Sequence, residues 1–166
     1  MIILTKNKHR LQIDEFNFRC CVGKGGISSK KTEGDKKTPK GTFSIGNLYY
    51  RSERLRKPLT KLKTIKIKKN FAWCDDINFP NQYNKFIKLN NKLKIKHEKM
   101  FRRDYKYDLL IPIKYNFNKP KVPKGSCIFI HLTNDYKPTA GCIAINKNDF
   151  LILLKLIKPN TKILIT

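Results

Sequence analysis

The chain has 166 residues, 40% of them hydrophobic and 30% charged, with 37 Lys and Arg against 12 Asp and Glu for a net charge of +25. Its length fits one domain, read here as residues 1–166, with enough chain to bury a core without disulfides or metal. The composition excludes a disordered or collagen-like chain. The purely apolar runs, such as Leu151–Leu154, are only a few residues long, far short of the ~18 residues of a membrane span.

The chain opens with Ile2–Leu4, followed by Lys6, Lys8, His9 and Arg10, so no signal-peptide core is visible. Ile2–Leu4, Arg10–Ile13 and Phe16–Val22 read as β-strands. A polar loop spans Gly23 to Lys37, and Thr38–Gly41 reads as a turn into a strand over Thr42–Ile45. Leu59–Ile67 alternates Lys with apolar residues and predicts a half-buried strand with a solvated Lys face.

The segment from Lys68 to Tyr107 is the least regular and reads as a long structured insertion or loop system. Asp108–Tyr115 and Ser126–Leu132 are expected to be buried strands, with Pro112 placing the first at an edge or a bulge. Cys142–Ile145 is a short strand after a glycine. Asp149–Ile157 predicts a helix capped by Asn146 or Asn148, before a last strand at Lys162–Ile165. About ten short strands and one late helix predict a mainly β, sandwich-like or barrel-like single domain.

Thirty of the cations are lysine and seven are arginine, scattered along the chain. They suit an anionic polymer, or they reflect surface drift to Lys in an AT-rich coding sequence. A nucleic-acid-binding module would show clustered cations with stacking aromatics, and neither is present. The five cysteines, at 20, 21, 74, 127 and 142, form no C-x-x-C pair, which argues against structural zinc and against a disulfide framework. Cys20 and Cys21 are adjacent on a strand and so face opposite sides.

Chemistry is concentrated in the second half. His131 ends an apolar strand, and Cys142 follows Gly141 after a loop holding Pro138, Thr139 and Ala140. A thiol is mostly protonated at neutral pH, so a nearby imidazole would activate it as a nucleophile. Backbone N–H groups of the Thr139–Cys142 turn would stabilise an oxyanion. A buried cysteine and a strand-end histidine of purely structural role fit the spacing as well.

The stretch Ile130-His131 to Pro138-Thr139-Ala140-Gly141-Cys142-Ile143-Ala144-Ile145 resembles the signature of the L,D-transpeptidase catalytic domain, the YkuD-like family. Gly34-Asp35-Lys36-Lys37-Thr38-Pro39-Lys40-Gly41-Thr42-Phe43 resembles the family's G-D-x-x-T-P-x-G-x-F segment. Gly23–Gly26, Trp73–Asp76 and His97–Asp108 are similar to motifs of a compact branch common in alphaproteobacteria. Two positions depart from the pattern. Ala140 stands where members carry His or Arg, and Ala144-Ile145-Asn146 stands where they carry a basic residue after the cysteine.

The resemblance implies acyl transfer on peptidoglycan stem peptides through a Cys142 thioester, in the periplasm or cell wall, without metal or organic cofactor. His131 would be base and then acid, Gly141 and Cys142 would supply oxyanion amides, and Thr139 would shape the turn. Trp73, Arg103 or its neighbour Arg102, Tyr107 and His97 are the candidates for substrate contact. Each has a bland alternative as core anchor or loop support. A carboxypeptidase or amidase on the same residues is the alternative enzyme, and a monomer is the expected state.

Overall fold

The computed structural model describes residues 1–4, 10–29, 31–90 and 94–166; Lys6, Lys8 and His9 lie outside the described residues. The first strands are β1 (Ile2–Leu4), β2 (Arg10–Ile13), β3 (Phe16–Cys21), β4 (Ile27–Ser28), β5 (Thr38–Pro39) and β6 (Gly41–Ser44). Then come β7 (Leu48–Tyr50), β8 (Thr64–Lys66), β9 (Phe71–Cys74), β10 (Phe86–Lys88) and β11 (His97–Lys99). The chain continues through β12 (Leu109–Pro112), β13 (Phe129–Leu132) and β14 (Ile143–Ile145) to helix α1 (Lys147–Leu156), and ends in β15 (Lys162–Ile165). The architecture is mainly β with one late helix, as the sequence predicts. No helix among the described residues is long and apolar enough to cross a membrane.

Ten strands form one sheet in the order β6-β15-β1-β2-β3-β14-β13-β12-β7-β8. Period-two alternation aims Ile2, Leu4, Leu11, Ile13, Phe18 and Cys20 into the larger core. Cys21 points elsewhere, its thiol 3.6 Å from the Thr133 hydroxyl. Helix α1 begins at Asn146, whose side-chain oxygen accepts from the Asp149 amide at 2.9 Å. It packs Phe150, Leu153 and Leu154 into the same core.

A second core lies around the inner strands. Leu110 of β12, Phe129 of β13 and Cys142 meet Tyr49, Phe71, Trp73, Met100 and Tyr107 there. On β13, Ile130 and Leu132 belong to the larger core while Phe129 faces the second. Alternation puts His131 on the same side of the strand as Phe129.

The segment from Lys68 to Tyr107 is more regular than its composition suggests. It carries a three-stranded antiparallel sheet, with β9 between β10 and β11. All four β9 residues are buried, so the alternation that marks a half-buried strand is absent. The expected strand over Leu59–Ile67 shrinks to Thr64–Lys66, because its partner β7 offers only three residues and Leu59 is exposed. β7 is fully buried too, so it lacks the alternation that would mark it in the sequence.

The edge placement expected from Pro112 is also corrected: β12 lies between β13 and β7. Pro112 is its last residue, and β7 pairs only with Leu109 and Leu110. The Pro112 carbonyl accepts from the Gly46 amide at 2.7 Å on the β7 side. The ring nitrogen therefore also points past the end of β7, where no ladder donor is needed.

The Gly-rich loop is fastened to the second half by Thr38, which is fully buried. Its hydroxyl donates to the Gly141 carbonyl at 2.8 Å and accepts from the Gly23 amide at 2.9 Å. Thr38→Val should leave both backbone groups buried and unpaired, and cost about 1–3 kcal/mol in a urea titration. Unchanged stability would show that the loop is held by other contacts.

Candidate active site

His131 and Cys142 reach one cavity from adjacent parallel strands. β13 and β14 pair with His131 opposite Ala144, and Cys142 immediately precedes β14. The cavity, about 310 Å³, is lined by both residues and by Tyr107, Arg102, Lys106 and Thr139 among others.

The turn before the cysteine needs a glycine. Gly141 has φ 137°, and a Cβ there would stand 2.9 Å from the Lys37 carbonyl oxygen. Thr139 closes the turn: its hydroxyl donates to the Cys142 carbonyl at 2.6 Å and accepts from the Gly141 amide at 3.1 Å. The Gly141 amide, expected to face an oxyanion, is therefore turned to Thr139. The Gly-rich loop braces the turn from outside, with Lys24 N–H donating to Thr139 O and Thr139 N–H to Val22 O, both at 2.9 Å.

The Cys142 thiol is buried. It donates to the Cys127 carbonyl at 3.2 Å and receives the Phe129 amide at 3.4 Å. Loss of water pushes it up to about 12, against a partial lowering by the Phe129 amide. His131 is also buried, and its Nδ1–H donates to the Leu132 carbonyl at 2.8 Å, leaving Nε2 as the acceptor nitrogen. Tyr107 stands edge-on to the imidazole, 5.2 Å between centroids. Burial lowers His131 to about 4; Lys106 and Arg102 push the same way, while the Leu132 carbonyl and Asp104 oppose. Burial therefore favours the neutral thiol and the neutral imidazole over a thiolate–imidazolium pair.

The remaining candidates divide. Tyr107 lines the cavity. Arg102 does too, whereas Arg103 is exposed and away from it. Arg102 is occupied: Nε and Nη2 fork onto Asp104 at 3.0 and 2.7 Å, and Nη1 donates to Glu98 at 2.9 Å. Trp73 does not line the cavity. It sits in the second core against Phe129 and Phe86, its Nε1–H donating to Asn84 at 3.0 Å. His97 lies on β11 opposite Cys74, its Nδ1–H donating to the Ile95 carbonyl at 2.6 Å, and is likewise outside the lining.

Sequence reasoning missed Glu98, Lys106, Asn134 and Lys137, all of which line the cavity. Asn134 and Lys137 had a usable signal, since both lie in the loop between His131 and Cys142. Glu98 and Lys106 had none short of the fold. Among the described residues, no group of three or more His, Cys, Asp or Glu is placed to hold a metal ion.

The model of the YkuD family, the L,D-transpeptidase catalytic domain, matches residues 1–165. No curated protein matches. One solved structure, that of Bdellovibrio bacteriovorus Bd1075, is similar at 18% identity and a TM-score of 0.49, over 99% of this chain and 46% of that one. This chain thus spans less than half the length of that relative. Matched over nearly its whole length, the chain belongs to the YkuD family of L,D-transpeptidase catalytic domains.

Proposed function

We propose that the chain is one catalytic domain that transfers acyl groups between peptidoglycan stem peptides, with Cys142 as nucleophile and His131 as its base. One observation supports this most: both side chains line a single cavity, and the Leu132 carbonyl fixes the imidazole tautomer that leaves Nε2 as acceptor. The substrate, a wall polymer, puts the site of action in the periplasm or cell wall.

Burial that favours the neutral forms of both groups supports an order in which the proton moves as the bond forms. As Sγ attacks the carbonyl carbon beside an L-configured centre, the thiol turns from the Cys127 carbonyl, its proton passes to His131 Nε2 and the S–C bond forms. The developing oxyanion is assigned to the Cys142 N–H, because the Gly141 amide is held by Thr139. Collapse breaks the C–N bond, and the imidazolium returns its proton to the leaving amine. An amine from a second stem then attacks the thioester. His131 takes the amine's proton, the S–C bond breaks, and the thiol is restored as the new amide forms. Water in place of the amine would give hydrolysis.

Mixing the protein with isolated muropeptides should give new cross-linked dimers by mass spectrometry. Cys142→Ala should lower their rate by about 10³-fold or more while the protein stays folded. Shortened monomers without dimers would establish the hydrolase instead, and product from Cys142→Ala would overturn the nucleophile.

The histidine has a separate signature. Its folded pKa, about 4, lies below the ordinary 6.5. As pH falls, the unfolded chain takes up this proton first, so stability declines from about 6.5 down to about 4. His131→Gln should flatten that limb of the urea midpoint against pH. It should also slow acylation at neutral pH by roughly 10²–10⁴. A flattened stability limb with wild-type acylation would reduce His131 to a structural role.

A further inference from the structure

One exposed stretch concentrates positive charge far from the candidate active site. Arg54–Lys69 holds eight Lys and Arg and no acid, and all eight are exposed. Arg54 is paired with Asp108. The other seven are in no ion pair among the described residues. The stretch leads from β7 into β8, the last strand of the ten-stranded sheet, and three strands separate β8 from β14.

The loop between β7 and β8 is fastened by its inward residues. Leu55 and Leu62 pack on the larger core, and Pro58, between them in sequence, is buried. Arg56, Lys57, Leu59 and Lys61 fall between these anchors and are turned outward. Leu59 is 76% exposed, the highest of any large hydrophobic side chain among the described residues.

A lone exposed leucine is ordinary on a protein surface. This one has a cation two residues away on each side. Two residues of chain span at most about 7 Å, so the Cα atoms of Lys57 and Lys61 lie that close to Leu59, inside the ~10 Å over which charges act at 0.1 M salt. The same limit puts Arg56 and Lys63 no more than about 15 Å away. Like charges crowded on one loop repel, and an anionic partner relieves that repulsion.

The leucine decides which partner. A nucleic acid uses stacking rings, and no aromatic residue lies between Tyr50 and Phe71. A hydrated polymer offers no apolar contact for an isobutyl group. A bilayer with anionic headgroups supplies both halves: phosphates for the cations, and the boundary with the acyl chains for Leu59.

We infer that the β7–β8 loop is a membrane-docking surface, in which Arg56, Lys57, Lys61 and Lys63 engage anionic phospholipid headgroups and Leu59 enters the boundary with the acyl chains. The attachment is peripheral and does not depend on the acyl-transfer reading.

Co-sedimentation of the full chain with vesicles tests it, using phosphatidylcholine alone and equal parts of phosphatidylcholine and phosphatidylglycerol at about 0.1 M salt. The wild type should bind the anionic vesicles and leave the neutral ones. Lys57→Gln with Lys61→Gln should weaken binding by roughly 10–30-fold, about fivefold for each cation. Lys155→Gln with Lys158→Gln removes the same charge at the exposed end of α1 and should cost less than about threefold. Leu59→Asn keeps the net charge and should weaken binding by about 10-fold. All these side chains are exposed, and an unchanged thermal midpoint checks that each variant folds. An equal loss in the two lysine pairs would show attraction by net charge alone and overturn the docking surface. Wild-type affinity in Leu59→Asn would overturn it too, as the result a nucleic-acid or wall-polymer surface would give. So would a wild type that does not bind the anionic vesicles.

Discussion

The Thr38 hydroxyl holds together the two halves of the chain at the point where the site is built. It has one proton to give and lone pairs to receive, and it meets Gly141 O and Gly23 N–H in a place that water does not reach. Around it the backbone of the Gly-rich loop runs against the turn before Cys142, through Lys24 to Thr139 and Thr139 to Val22. Gly141 adopts a backbone conformation that L side chains rarely adopt, with Lys37 O too close for a Cβ. The thiol's direction thus depends on a residue more than a hundred positions upstream, and the loop that looks loose in sequence is a template for the turn.

Dryness is the second consequence of this packing. The same burial that orders Cys142 and His131 raises the acid and weakens the base, so neither ionises alone. In the mechanism proposed above, proton transfer coupled to attack would avoid creating an ion pair before the substrate is present. The charged wall of the cavity is kept in order by arginines. Arg51, buried against the Phe101 ring, donates to Arg102 O at 2.6 Å, while Arg54 donates to the carbonyls of Arg103 and Asp104 at 2.9 Å. These contacts hold the segment that presents Arg102, Lys106 and Tyr107.

What the sequence revealed follows from how local each signal is. The strand-end His131, the Gly141-Cys142 pair and the Asn146 cap are stated by neighbouring residues, and the fold places them as those neighbours suggest. The three-stranded sheet over β9–β11 was illegible because its central strand is buried on both faces and its partners are three residues long. Arg102 and Arg103 are equivalent in sequence. Only the positions of Glu98 and Asp104 turn the first inward and leave the second in solvent. Trp73 looked available for a substrate groove, yet Phe86, Phe117 and Phe129 surround it. Which aromatic is anchor and which is wall is a tertiary fact.

The excess of positive charge divides by distance. Among the described residues, ion pairs engage five cations, and most of the other described cations are in none. Exposed charges act over about 8 Å at physiological ionic strength, so the scattered lysines favour encounter with any anionic polymer and choose nothing. Selection needs charge that is positioned and partly dehydrated. Of the cations at the cavity, Arg102 is pinned by two carboxylates and serves as a strut. Lys106, half-buried with its backbone fastened to Leu132, has a different position: its charge is sheltered, and it is felt by His131. The bulk of the lysines can therefore vary with little effect on the chemistry.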